Sequence, residues 1–179
     1  MDIAHSLPIS CWSSSPAIYA LHQRQHCRRQ DDQRWLTGYI RLVVAGFLNS
    51  FIRHADVLKI ANLAQIVNVI APLMTRGDEL LVQSIFYPFE MYSRRRAGVS
   101  LRPVVQGPSF ESRANGLAQL IDASAILNQS QLNVFLTNRS PDEPAIVQIS
   151  VEDCPIVSFD SAELVTGPDA QAANSFRTP

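Results

Sequence analysis

The sequence predicts an α+β protein in which one helix–strand–helix unit, over residues 39–97, precedes a series of short antiparallel strands over residues 98–179. Three patterns support this prediction: apolar residues at helical spacing, an apolar run that contains β-branched residues, and short β-like runs separated by glycine and proline. Charged side chains interrupt the apolar run before it reaches the roughly 18 apolar residues of a membrane span. The run therefore belongs in a soluble core.

The helix–strand part begins with YIRLVVAGFLNSFIRH, residues 39–54, whose apolar side chains recur at helical intervals and predict an outer helix with one apolar face. Asp56 then begins a predicted strand, VLKIANL, which ends at Gln65. The amide of Gln65 can face a ligand there, because it offers both a donor and an acceptor. A second interpretation, a core amide with its hydrogen bonds satisfied inside the protein, stays open on spacing alone.

A second helix is predicted from Leu80 to Arg95, bent or restarted at Pro88, because proline lacks a backbone donor. The three arginines at 94–96 lie just before Gly98. We interpret them as the basic end of this helix, where cations complement the helix dipole, since no aromatic platform for nucleic acid accompanies them.

Beyond Gly98 five short runs predict strands at the spacing of a β-sandwich: LRPVVQ, LIDASAIL, LNVFLTN, AIVQISV and CPIVSFDSAELV. The clearest predicted hairpin joins LNVFLTN to AIVQISV through a proline-rich turn from Ser140 to Pro144. The chain ends in a polar tail, DAQAANSFRTP.

Residues 1–38 are polar and show no amphipathic periodicity, which predicts a disordered leader. An alternative is a zinc site built from two cysteines and two histidines, but their spacing fits no standard zinc finger, and we predict no metal. These four residues are Cys11, His22, His26 and Cys27. The odd number of cysteines, three in all, indicates no disulfide framework.

The charge balance excludes some partners. With a net charge of −1 and a pI near 6.4, the chain has no overall field that attracts nucleic acid or an anionic membrane. The amino terminus has no positively charged stretch followed by an apolar core, so the sequence shows no recognisable secretory signal.

Several ordered blocks carry a resemblance to a known family: VVAGFLNSFIRHAD, HADVLKIANLAQIVNVIAPLMT, SIFYPFEMYS, GVSLRPVVQGPSF and VFLTNRS. Along residues 42–165 the chain resembles the α-L-arabinofuranosidases of glycoside hydrolase family 51. The resemblance implies that residues 39–97 are the last helix–strand–helix remnant of a catalytic βα (TIM) barrel and that residues 98–179 are an incomplete antiparallel β-sandwich. A complete barrel takes roughly 250 residues, so a chain of 179 implies a carboxy-terminal fragment.

The resemblance also implies a chemistry. Family members release terminal arabinofuranosyl residues from arabinose-containing polysaccharides and oligosaccharides, without a cofactor, by a retaining mechanism that needs two glutamates about 5 Å apart. Neither glutamate is expected in this chain, which is therefore predicted to have no catalytic residue and to be inactive alone. Gln65 matches the family glutamine that hydrogen-bonds the arabinose, so it is the predicted substrate-binding residue. The family is often homo-hexameric. Many of its bacterial members are cytoplasmic, so the resemblance implies a cytoplasmic protein.

Two other functions remain open from the sequence. The β-sandwich can be a carbohydrate-binding or interaction module, although its phenylalanines lie in strand-like runs where core packing is expected. The chain can also be a gene remnant without a function, because its first 38 residues resemble nothing in the family.

Overall fold

A computed structural model describes residues 6–10, 35–69, 71–112, 116–140, 143–152, 154–167 and 174–177. The helices and strands in chain order are β1 (Ser6–Ser10), α1 (Trp35–Arg53), β2 (Leu73–Arg76), β3 (Glu79–Val82), α2 (Phe86–Arg94), β4 (Val99–Gln106), β5 (Ser109–Ser112), β6 (Gly116–Gln119), β7 (Ile121–Asn128), β8 (Gln131–Asn138) and β9 (Gln148–Ile149).

The main layer is a five-stranded sheet with the order β8-β7-β4-β1-β9. Its pairs are antiparallel except for β1 and β4, which run parallel. Two small hairpins, β2–β3 and β5–β6, lie outside this sheet. The α+β class and the β-rich carboxy-terminal half agree with the prediction. Four of the five predicted strands overlap an observed strand, namely β4, β7, β8 and the short β9.

The predicted hairpin between LNVFLTN and AIVQISV is wrong. The strand β8 pairs with β7 across a tight turn at Gln129 and Ser130, in which Gln129 has a positive φ of 54°. The strand β9 is short and pairs with β1. A tight turn closes a hairpin at a lower entropic cost than a longer loop, so β8 pairs with its preceding neighbour. The predicted strand CPIVSFDSAELV is also wrong, because residues 154–165 have no regular structure.

The predicted strand from Asp56 to Gln65 does not form. Residues 54–57 make a turn and residues 58–66 have no strand, while the side chains of Val57 and Ile60 are 77% and 74% exposed. An inner strand of a parallel sheet needs neighbours on both edges for its backbone hydrogen bonds. None of the described strands pairs with this segment, so its backbone stays in irregular conformations.

The second helix is shorter than predicted. The hairpin β2–β3 occupies its predicted start at Leu80, and α2 begins at Phe86. Pro88 lies in the first turn of α2, where a missing N–H leaves no helical hydrogen bond unmade. Gly98 follows the helix with φ at +130°, and a Cβ there would collide with the carbonyl oxygen of Leu127. Glycine thus allows β4 to approach β7 immediately after α2.

Both helices cover one face of the sheet. Alternate side chains of β7 point to opposite faces, so Asp122, Ser124 and Ile126 face the helices. The apolar core on this side includes Tyr92 of α2, whose ring stacks on that of Phe135 at 4.2 Å between centroids. The opposite face holds small and aliphatic side chains of β7, which pack with Val147 and its neighbours.

Within the predicted leader, residues 1–38, the structure describes a strand at Ser6–Ser10 and the first residues of α1 from Trp35. The remaining leader residues, including the four cysteines and histidines considered as zinc ligands, lie outside the described residues. None of the helices in the described part of the chain is both long and apolar enough to cross a membrane.

Candidate functional site

A polar network is buried between α1 and the sheet, and Asn49 is at its centre with no exposed surface. The Nδ2 atom of Asn49 donates to Asp122 Oδ2 at 3.0 Å and to Thr137 Oγ1 at 3.3 Å. Its Oδ1 atom accepts hydrogen bonds from Ser124 Oγ at 2.6 Å and from the Tyr92 hydroxyl at 2.8 Å. One amide therefore joins both helices to two strands, and its polar atoms are satisfied as burial requires.

Burial raises the pKa of Tyr92, because the charged phenolate would lose its hydration inside the interface. The hydroxyl therefore stays protonated and keeps donating to Asn49. Ser100 on β4 supplies a further link, since its hydroxyl donates to the carbonyl of Ile52 near the end of α1. These bonds fix the position of α1 along the sheet.

Arg53 lies one helical turn after Asn49 and extends the network to the surface. Its Nη1 atom donates to Asp122 Oδ1 at 2.9 Å and to the carbonyl oxygen of Ala123 at 2.6 Å. Arg139, just after β8, reaches the same Oδ1 atom with Nη2 at 3.3 Å. Two guanidinium groups thus bind one carboxylate, and these bonds fix the position of the Asp122 side chain.

A gap between β4 and β7 gives Arg53 access to the backbone. The two strands pair only where Val99 to Leu101 face Ala125 to Leu127. Continued pairing would set Pro103 opposite Ala123, but proline has no N–H to donate to the ladder. The carbonyl of Ala123 accepts from Arg53 instead. From Arg102 onward β4 pairs with β1 on its other side.

A cleft of about 290 Å³ opens at this gap, and we call it the arginine cleft. Its lining residues are Arg53, Pro103, Val105, Gln119, Ile121, Asp122, Ala123 and Arg139. These described lining residues include a single carboxylate and no aromatic ring. Its two cations and one anion leave it with one net positive charge.

A second group of charges lies at the end of α2, where Arg95 Nη2 meets Glu163 Oε1 at 2.7 Å and Arg94 pairs with Glu90 at 2.8 Å. The hydrogen bond from Arg95 lowers the pKa of Glu163, and the same bond raises the pKa of Arg95. Arg95 and Arg96 also donate to carbonyls of the last turn of α2. The interpretation of residues 94–96 as a basic helix end is confirmed.

The predicted substrate-binding residue, Gln65, takes part in neither of these two groups of charges. It is exposed, has a positive φ of 59°, and does not line the arginine cleft. Its neighbour Asn68 instead accepts from the backbone N–H of Thr75 at 2.8 Å, at the start of the β2–β3 hairpin. Because the strand that would position Gln65 does not form here, its role stays a prediction.

The sequence did carry a signal for the arginine cleft that was missed. In LIDASAIL, Asp122 and Ser124 are polar residues two apart inside a strand, which places both on one face. In α1, Asn49 and Arg53 are four apart on one helix face. Matching polar pairs on two elements indicate a shared interface, but the sequence alone does not say that these elements meet. Among the described residues, no group of three or more His, Cys, Asp and Glu side chains could hold a metal ion.

Comparison with known proteins decides the family. Residues 19–179 match the family described as the α-L-arabinofuranosidase C-terminal domain. The chain belongs to this family. The match begins inside the segment predicted as an unrelated leader, and the predicted domain boundaries remain predictions.

Similar proteins include an intracellular exo-α-(1→5)-L-arabinofuranosidase of Bacillus subtilis, which is 37% identical over 105 residues, covering 57% of this chain and 21% of the relative. The Streptomyces lividans intracellular exo-α-(1→5)-L-arabinofuranosidase is 30% identical over 140 residues, covering 77% of this chain and 21% of the relative. A solved family 51 α-L-arabinofuranosidase from Bifidobacterium longum aligns with a TM-score of 0.51 and 28% identity over 53% of this chain and 19% of that one. The chain thus spans about a fifth of the length of these relatives, and the resemblance seen in the sequence is confirmed.

Proposed function

We propose that this chain is the carboxy-terminal part of a retaining α-L-arabinofuranosidase that releases terminal arabinofuranosyl residues from arabinose-containing polysaccharides and oligosaccharides. The observation that carries the proposal is the family match over residues 19–179, together with relatives named as exo-arabinofuranosidases. In this proposal the two catalytic glutamates lie on protein outside this chain. The substrate is a glycan, and the chemistry needs no cofactor.

The arrangement of the described carboxylates supports the proposal that the chain is inactive when alone. Retaining hydrolysis needs a nucleophilic carboxylate and a protonated carboxylic acid about 5 Å apart. The arginine cleft offers only Asp122, already engaged by two arginines. Glu90 and Glu163 both lie near Arg94, but the lowered pKa of Glu163 opposes the protonated form that a general acid needs.

The exposed segment around Gln65 supports the assignment to a barrel remnant. Five large apolar side chains between residues 57 and 69 are between 47% and 77% exposed, namely Val57, Ile60, Ile66, Val67 and Val69. Apolar residues so placed favour burial against another part of a protein. We propose that this segment becomes a barrel strand when the rest of the barrel flanks it, and that Gln65 then binds the arabinose.

The proposed location is the cytoplasm, and the relatives from Bacillus subtilis and Streptomyces lividans are named as intracellular enzymes. Assembly into a homo-hexamer belongs to the same proposal. Sedimentation of the complete enzyme would test it, with a hexamer expected.

The first experiment measures hydrolysis of an aryl α-L-arabinofuranoside by the purified chain. We expect no turnover above the uncatalysed rate, because the carboxylates in the described part of the chain offer no suitable acid and nucleophile pair. Turnover that survives repeated purification and is lost in a Glu90→Gln or Glu163→Gln variant would contradict the proposal.

The second experiment tests Gln65 in a hybrid in which this chain replaces the matching segment of the Bacillus subtilis relative. We expect the hybrid to hydrolyse the substrate, and Gln65→Ala to lower kcat/KM by about 10- to 100-fold, since a lost sugar hydrogen bond costs about 1.5–3 kcal/mol in a buried site. The matched control is Gln131→Ala on the exposed part of β8, which is expected to leave kcat/KM unchanged.

A further inference from the structure

We propose that the arginine cleft binds the carboxylate of an acidic sugar, a uronic acid unit. The cleft combines two guanidinium groups, an amide and apolar walls within about 290 Å³. Each of these features recognises a different part of such a ligand. None of them is used by the proposed hydrolysis, which takes place in the barrel.

The charges are arranged so that an incoming ligand meets positive charge first. The side chain of Asp122 is 9% exposed, whereas those of Arg53 and Arg139 are 28% and 36% exposed. The negative charge therefore lies beneath the two positive ones. Since the cleft has one net positive charge at its mouth, it attracts an anion and disfavours a cation.

Both guanidinium groups are held in place before a ligand arrives. Arg53 is tied to the carbonyl oxygen of Ala123 at 2.6 Å, and Arg139 Nη1 donates to the carbonyl oxygen of Gln119 at 3.2 Å. Each arginine thus has one nitrogen fixed to the backbone. A guanidinium held this way loses little side-chain entropy on binding, and its planar donors match a carboxylate.

The walls of the cleft fit a sugar ring better than a bare anion. Pro103, Val105 and Ile121 provide apolar surface for the C–H face of a ring. The side-chain nitrogen of Gln119 donates to backbone carbonyls of the neighbouring turn, which leaves its amide oxygen to accept from a sugar hydroxyl. The volume is at the lower end of small-molecule sites, which span roughly 300–1,000 Å³. The cleft therefore suits one sugar unit.

The biological setting of this site rests on the proposed function, because an arabinose-containing polysaccharide is the source of the acidic unit. Binding itself does not depend on hydrolysis. Failure of one proposal is therefore distinguishable from failure of the other, since an active hybrid enzyme says nothing about the cleft and a binding experiment says nothing about turnover.

The experiment titrates the purified chain with galacturonate and, in parallel, with galactose, while amide resonances or heats of binding are followed at low salt. We expect galacturonate to bind at least about tenfold more tightly than galactose, because only the acid makes charge-assisted hydrogen bonds. Arg139→Gln should weaken galacturonate binding by at least about fivefold. The control, Arg102→Gln, removes an exposed arginine of β4 that does not line the cleft, and binding should not change.

A second variant protects the test against misfolding of Arg139→Gln. Gln119 is exposed, so Gln119→Glu should fold and should weaken galacturonate binding by adding a negative charge to the cleft. Equal binding of galacturonate and galactose, or unchanged binding in both cleft variants, would overturn the proposal. Acetate or inorganic phosphate binding as tightly as galacturonate would also overturn it, since the site would then recognise any small anion.

Discussion

The interface between α1 and the sheet and the segment from residue 57 to residue 69 both mix amides with apolar residues, yet only the first is buried. Asn49 has no exposed surface and bonds to three other elements, whereas Asn62 and Gln65 lie exposed in irregular chain. The difference arises because the partners of Asn49 are supplied by this chain. A buried amide is tolerated only where its donors and acceptors are met.

The largest expected effect comes from the centre of the buried network. Asn49→Ala removes the amide that joins α1 and α2 to β7 and β8 and leaves buried polar groups without it. We expect a loss of about 3 kcal/mol in the free energy of unfolding. Urea denaturation measures it, with Asn62→Ala as the control from the exposed segment. An equal loss in the free energy of unfolding for Asn49→Ala and Asn62→Ala would contradict the difference between the buried and the exposed amides.

A smaller effect is expected from the tyrosine that donates to this amide. Tyr92→Phe keeps the ring that stacks on Phe135 and removes only the hydroxyl. The free energy of unfolding should fall by about 1 kcal/mol. Tyr87→Phe changes an exposed tyrosine of the same helix and should cost less than about 0.5 kcal/mol. If Tyr87→Phe lowered the free energy of unfolding more than Tyr92→Phe does, the buried hydroxyl of Tyr92 would not be the more stabilising of the two.

A pH-dependent effect is expected at the end of α2. The pKa of Glu163 is lowered in the folded chain by the hydrogen bond from Arg95, so the stabilisation is present above the usual glutamate pKa of about 4.3 and is lost as pH falls through the lower folded value. Because this pair is exposed to solvent, Glu163→Gln should cost no more than about 0.5 kcal/mol at pH 7. Thermal melts at pH 7 and pH 3 would measure the difference, which should be smaller at the lower pH.

The smallest effect on stability is expected in the exposed segment. Replacing Val57 and Ile60 together by serine removes apolar surface that contacts water, so the free energy of unfolding should change by less than about 0.5 kcal/mol. Self-association should decrease, because exposed apolar surface favours it. Sedimentation velocity and urea denaturation together test this. Ile126→Ala, in the core with Tyr92, is the contrasting change and should cost about 2–5 kcal/mol.

The local sequence pattern predicted the helices and strands whose packing partners lie within this chain. The helix predicted over residues 39–54, observed as α1, and the strands β4, β7 and β8 formed because their apolar faces pack against each other within the chain. The strand ending at Gln65 did not form, since strand-like composition does not supply the neighbouring strands that its backbone requires.

Pairing and site geometry were harder to predict than the elements. The tight turn at Gln129 decided which hairpin formed, although both candidate turns contained turn-forming residues. The arginine cleft depends on Arg53, Asp122 and Arg139, which are far apart in sequence and meet only after α1 packs on the sheet. The predicted strand end and the family resemblance both pointed to Gln65, and its role stays a prediction until the hybrid enzyme is tested.

Native-state hydrogen exchange measures the central difference most directly, because it reports the protection of each backbone amide in the intact chain. We expect the amides of β7 to be protected at least about a thousandfold more strongly than those of residues 58–66, which should exchange at nearly unfolded rates. Protection of residues 58–66 equal to that of β7 would contradict the account, since it would mean that the segment carrying Gln65 is already a paired strand.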